Sequence, residues 1–175
     1  MSADLVKMIG NISSALVPVQ SVITGLAYMV GILFIIHSIM KFLKIGNARS
    51  GGGSQEKMFV PIAYLLGGAA LIFLPTSVQT LSDSTFGLGN ALEYTQYNPY
   101  NIYSAMKVVI QTAGIVWFFR GCVLLTHSSE PGVQEGSKGL TFLFAGILAM
   151  NFEGTIGALD YTLSHLINLS LKIGT

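Results

Sequence analysis

Charge is what this sequence has least of. Only 10% of its 175 residues are Asp, Glu, Lys or Arg, where a water-soluble domain carries about 25%. A surface that faces water on every side is hard to build from such a chain. Nine Lys and Arg against eight Asp and Glu leave a net charge of +1. That excludes the global basic field that holds nucleic acid. A single cysteine, Cys122, excludes an intramolecular disulfide. It lies inside an apolar run and reads as a small core residue. No Walker loop, Ser–His–Asp arrangement or Cys/His cluster is present. Gly51-Gly52-Gly53 lacks the context that cradles phosphate and reads as a flexible turn. His127 and His165 have no metal-ligand spacing and no paired carboxylate. We therefore expect no catalytic residue, no metal site and no enzyme. The N-terminus, Met1-Ser2-Ala3-Asp4, also lacks the basic start of a signal peptide. Either the first apolar stretch is an uncleaved signal anchor, or a leader precedes this numbering.

What the chain does have is apolar length. Hydrophobic residues make up 51% of it, and mean hydropathy is +0.64. Four apolar stretches stand out: Val22 to Met40, Phe59 to Leu74, Val108 to Leu125 and Leu140 to Phe152. A spanning helix needs roughly 20 apolar residues. The first stretch meets that length; the second and fourth fall short. Flanking amphipathic segments, Thr76–Leu81 and Thr155–Leu171, can extend them, or neighbouring protein can shelter them. In hydrocarbon every backbone N–H and C=O needs a partner within the chain. Strict apolar/polar alternation is absent, so helices are expected rather than a barrel. Leu5, Met8, Ile9, Ile12 and Leu16 recur at three- and four-residue steps, which predicts an amphipathic helix before the first span. Pro18 is expected to mark a bend between the two.

The expected fold is all-α and membrane-integral: two tandem helical hairpins plus the amphipathic helix. Its parts are 1–19, the amphipathic helix; 20–81, the first hairpin; 82–104, a connection; and 105–175, the second hairpin with an amphipathic extension. The turns Gly46–Lys57 and Ser128–Gly139 are both rich in Gly and Ser, and each carries Gln-Glu followed by a Lys. The connection lacks Lys and Arg up to Ser104 and carries Tyr94, Tyr97, Tyr100 and Tyr103, which suit a membrane–water interface.

The halves resemble each other. Val30–Ser38 lies over Ala113–Gly121, which aligns Gly31 with Gly114 and His37 with Arg120. Gly68–Leu74 lies over Gly146–Phe152. The offset falls from 83 to 78, so the second turn region is shorter by five. Repeats that each cross twice would run parallel.

Lys41, Lys44, Arg49, Lys57, Arg120 and Lys138 lie on the turn side; Lys7, Lys107 and Lys172 lie on the other. The positive-inside rule then predicts both turns in the cytoplasm, with both termini and the Tyr-rich segment outside. His37 and Arg120 are costly in a membrane. They either snorkel to the interface or serve as polar contacts, lumen-facing groups or lipid-phosphate ligands. A further reading pairs Arg120 with Glu130 or Glu135. Glu153 stands where the first half has Pro75 and is read as ending the apolar helix. Ala63, Gly67 and Ala70, with Ala145 and Ala149, allow close helix approach.

An amphipathic helix, an apolar helix ending in Lys41 and Lys44, a small basic turn and a second apolar helix together resemble the hairpin of a TraA-type conjugative pilin, here present twice. The whole chain resembles the TraQ proteins of I-type conjugative plasmids and the IcmC/DotE, IcmD/DotP and DotV membrane proteins of type IVB secretion systems. That likeness rests on the four spans, the turn Gly51–Lys57 and Phe73-Leu74-Pro75-Thr76. The resemblance implies a transfer-apparatus component of a Gram-negative inner membrane that can also reside in an extracellular pilus. Its implied partners are copies of itself, phospholipid and other transfer-apparatus proteins. Single-stranded DNA or protein would pass without sequence-specific binding. Lys41, Lys44, Arg49 and Lys57 fall where the pilin pattern carries its lumen-side positive charge, with Arg120 and Lys138 as their second-half matches. No cofactor is implied beyond phospholipid. Two other readings stand beside the pilin: a non-polymerising inner-membrane scaffold, and a small transporter or channel.

Overall fold

The structure is a computed structural model that describes residues 2–51, 57–86 and 102–173, with side chains over 7–47, 57–85 and 102–168. Tyr94, Tyr97 and Tyr100 of the connection lie outside the described residues, as does the middle of the first turn. Six helices follow in order: α1 Ser2–Gly51, α2 Phe59–Ile72, α3 Leu74–Phe86, α4 Ile102–His127, α5 Gly136–Met150 and α6 Phe152–Ile173. The described residues contain no strand. Two helices are long and apolar enough to cross a membrane, over Lys7–Asn47 and Ile102–His127. The count rises to four if each bent pair, α2 with α3 and α5 with α6, is one span.

The helix does not end at Pro18. The helix α1 runs through it for 50 residues, about 75 Å at 1.5 Å per residue. Pro18 removes a single N–H, the one that would bond the Ser14 carbonyl, and an apolar helix tolerates that loss when its other bonds persist. The helix also continues through Gly46 to Gly51, so the first turn is shorter than the Gly and Ser content suggests.

The flanking amphipathic segments do not continue the short apolar helices in a straight line. The helix α3 leaves α2 at 97° and α6 leaves α5 at 94°. The breaks fall at Phe73 and Asn151, which are 78 residues apart, the offset at which the sequence aligns these halves. Their backbone bonds correspond: Phe73 N–H donates to Ala69 O at 3.0 Å, and Asn151 N–H to Ile147 O at 3.0 Å. The causes differ. Pro75 has no N–H for the Leu71 carbonyl and its ring crowds that carbonyl, so α2 stops before it. In the second half Asn151 acts as a cap, its Oδ1 accepting from Gly154 N–H at 3.2 Å.

Each hairpin is closed by a pair of glycines. A Cβ on Gly68 would meet the Gly31 carbonyl at 2.8 Å, and one on Gly146 would meet the Gly114 carbonyl at 2.9 Å. Only hydrogen at these positions lets the backbones approach so closely. Contacts between hairpins give their relative direction. Gln20 of α1 bonds Thr112 of α4 at one end, and Lys41 of α1 reaches Glu130, just past α4, at the other. The helices α1 and α4 are therefore parallel, and so are the two hairpins. The core formed there includes Ala27, Leu71, Leu74, Val78, Ile115, Phe118, Cys122 and Met150. Leu74 and Val78 belong to α3, which folds beneath the second hairpin. No described side chain of α6 from Glu153 onward is buried.

Candidate functional site

A polar cluster among the described residues joins the two hairpins at the turn end. The short turn after α4 places Glu130 against the first hairpin; Gly132, with φ +89°, reverses the chain there. Glu130 Oε1 accepts from Lys41 Nζ at 3.1 Å and from the Tyr64 hydroxyl at 2.7 Å. Tyr64 is buried on α2, and it is framed by rings. His37 lies 4.7 Å from it and Phe34 5.4 Å, between centroids. His127 lies 6.3 Å away, and Lys41 Nζ sits 5.3 Å above the Tyr64 ring. The Tyr64 hydrogen bond holds the Glu130 carboxyl below the usual carboxylate range, and Lys41 adds a second bond and its charge. His127 lowers it further by charge, against the opposing effect of partial burial.

This set is a clamp. The carboxylate is already paired by a cation and a hydroxyl, which leaves it poorly suited to take a proton from a substrate. Among the described residues no three His, Cys, Asp or Glu side chains gather as a metal site.

Two further polar contacts tie the halves. Buried Gln20 donates from Nε2 to Thr112 Oγ1 at 2.7 Å, while the Thr112 hydroxyl donates to the Val108 carbonyl at 2.7 Å. At the break of α5, Asn151 Nδ2 donates to Ser82 Oγ of α3 at 2.6 Å. Beside it Lys107 Nζ pairs with Glu153 Oε1 at 2.9 Å. Glu153 thus sits in the first turn of α6, where a carboxylate suits the helix N-terminus; the apolar helix ends before it, at Asn151.

The predicted basic residues differ in setting. Lys41 is half-buried and neutralised by Glu130. Lys44, Lys57 and Lys138 are exposed. Arg49 lies on α1, and its side chain is outside the described residues. The proposed pairing of Arg120 with Glu130 is overturned: Glu130 is taken by Lys41, which approaches from the parallel helix α1, while Arg120 lies over the Phe142 ring at 4.8 Å. His37 and Arg120, equivalent in sequence, differ in setting; His37 is half-buried on Tyr64 and Arg120 is exposed.

Of the small residues, Gly67 lies against Thr126 of α4, and Ala149 lies beside Gly114. Ala70 packs against the core. Ala63 and Ala145 are half-buried. Sequence reasoning passed over Tyr64, Gln20, Thr112 and Asn151 as contacts. The signal was available: each is a polar group inside or beside an apolar run, where an unpaired donor is costly. Comparisons with family models, curated proteins and solved structures return no match for this chain.

Proposed function

We propose that this chain is a structural subunit of a conjugative, type IVB transfer apparatus of a Gram-negative inner membrane, able to assemble with its own copies and with lipid into a pilus. The observation that carries the reading is the pair of parallel hairpins whose outer faces are apolar and bare. On α1 alone Leu26, Met29, Leu33 and Met40 are each more than half exposed. Such surface is stable only against lipid or other copies. In this reading all four apolar rods cross the bilayer, with the turns in the cytoplasm and the breaks at the outer face. There α3 and α6 run along the interface, as amphipathic helices do. Lys44, Arg49, Lys57, Arg120 and Lys138 face lipid phosphates or a lumen. The chain has no catalytic role, and DNA or protein cargo passes it without sequence readout.

Mass spectrometry of extracellular filaments sheared from cells that make this chain tests the pilin form. The chain is expected in stoichiometric amount, and its absence would remove that form. The second reading, a scaffold that stays in the membrane, draws on the near-right-angle turns into α3 and α6, which suit a flat bilayer. Reporter fusions after Ser54 and after Gly132 should both read cytoplasmic in either case.

A further inference from the structure

We propose that one copy docks onto the next through the outer stripe of α1, repeating between chains the contact that joins the two hairpins within a chain. The proposal deepens the reading of a self-assembling subunit and rests on it.

Within the chain, Thr112 and Thr126 of α4 meet the first hairpin, Cys122 lies in the core shared with it, and Ala105 of the same helix is buried. All four are 0–7% exposed. Thr112 meets Gln20 of α1, and Thr126 lies against Gly67 of α2. The 83-residue offset carries these four onto Val22, Met29, Ile39 and Leu43 of α1. Those residues are apolar, and 51–63% of each is exposed. The face that is covered on the second hairpin is therefore bare on the first.

The receiving surface carries over in the same way. Gln20 corresponds to Tyr103 and Ala27 to Ile110, while Gly67 corresponds to Ala145 at the 78-residue offset. Tyr103 is 46% exposed, and Ile110 and Ala145 are half-buried. Gly67 is half-buried too, and the Tyr103 ring lies 6.3 Å from that of Phe152, so the contrast at this surface is between Gln20 and Ala27, both buried, and the less covered Tyr103 and Ile110. The two in-plane helices follow the same rule. Val78 of α3 is tucked beneath the second hairpin, whereas Ile156 of α6, its equivalent, is bare. Asp160 stands where Ser82 does, so the following turn differs.

Lipid alone does not account for the stripe. From Val22 to Leu43 it covers about 32 Å of helix, which matches a hydrocarbon layer of roughly 30 Å. Yet Met8, Ile12 and Val19, also exposed, continue it at the same three- and four-residue spacing. From Met8 to Leu43 the stripe runs about 53 Å. Even a tilt of about 40°, the upper end for spanning helices, leaves it longer than the hydrocarbon path. A protein neighbour is needed for the overhang. Because the hairpins are parallel, applying the same step again keeps every copy inserted the same way. The contact is heterologous, so it builds a ring or an open helical array.

The test uses the full chain in its membrane, with a short bis-methanethiosulfonate crosslinker. The double variant Met29→Cys/Tyr103→Cys is expected to give a ladder of dimers, trimers and higher species. Met29→Cys mixed with Tyr103→Cys should give dimers only of unlike chains. Gln20→Cys/Thr112→Cys, which should link within one chain, reports that such variants fold; the parent chain with buried Cys122 is the blank. No ladder from a preparation in which that control links would overturn the proposal. Met29→Cys linking to itself would also overturn it, in favour of a two-fold contact. Filaments that contain the chain but lack the crosslink would refute these faces and leave the subunit reading standing. A ladder in the membrane without any filament would uphold the faces and remove the pilin form.

Discussion

The helices α3 and α6 leave their spans at almost the same angle and occupy equivalent places in the two halves, yet one is covered and the other is bare. The difference is positional. The helix α3 is followed by another hairpin, which settles over Leu74 and Val78. Among the described residues no such hairpin lies over α6, and its described side chains from Glu153 onward are not buried. A bend of nearly 90° is thus a local property of each half, set at Phe73 or Asn151. Burial of the arm beyond the bend is a property of what stands next to it.

Several changes would break or sharpen that contrast. Leu74→Ala should cost about 3 kcal/mol, the ordinary loss for a fully buried leucine, read as a lower melting temperature in detergent. Ile156→Ala should leave the isolated chain unaffected and weaken only its assembly. Equal losses at both sites would contradict the asymmetry between the arms.

Next in size is the clamp at the opposite end of the bundle. Glu130→Gln keeps the shape but removes the charge that Lys41 and Tyr64 share, and about 2 kcal/mol should be lost. The pH dependence has a definite sign. Glu130 is held below its ordinary value in the folded chain, so its contribution is complete above about pH 4.3, the free carboxylate value. It fades as pH falls through the lowered folded value, because the unclamped state then binds the extra proton. A melting temperature that holds from neutral pH to about pH 5 and falls below pH 4 is expected in the parent; in Glu130→Gln that fall should shrink.

The breaks themselves should respond differently to their own substitutions. Asn151→Ala removes a cap and the bond to Ser82, for about 1 kcal/mol. Pro75→Ala removes the obstacle to a continuous α2–α3 helix and should open the 97° angle, read as a longer distance between spin labels at Leu66 and Leu81. A break in the first half that persists after Pro75→Ala would assign it to α3 packing instead. Smallest is Gln20→Leu. It deletes the short interhelical bond to Thr112 and the long one, 3.4 Å, to the Val108 carbonyl, within the apolar region where such bonds average about 0.6 kcal/mol.

The sequence made the helices legible because hydrocarbon leaves a backbone few alternatives. The apolar runs from Val22 and from Val108 lie within α1 and α4. The offset of 78 between Gly68 and Gly146 also separates Phe73 from Asn151. Pro18 does not end the helix, so the amphipathic segment and the first span form one continuous α1. The apolar stretch read on to Leu74 overran the end of α2 at Ile72 by two residues, because a proline acts on the carbonyl four positions earlier. The clamp was not legible. Glu130 read as a turn residue, and its partners Lys41 and Tyr64 are 89 and 66 positions away.

By itself, then, the sequence determined composition-driven matters: an apolar, helical chain in two similar halves, with few charges and most of its Lys and Arg near the turns. Periodicity and backbone hydrogen bonding are local, so residues close in the chain decide them. Only the tertiary structure decided which faces are covered. Whether Val78 is buried while Ile156 is bare, and whether Lys41 or Arg120 takes Glu130, depends on the parallel placement of α1 and α4. That placement is fixed by contacts between residues far apart in sequence, and the spacing of apolar residues along one helix carries no record of it.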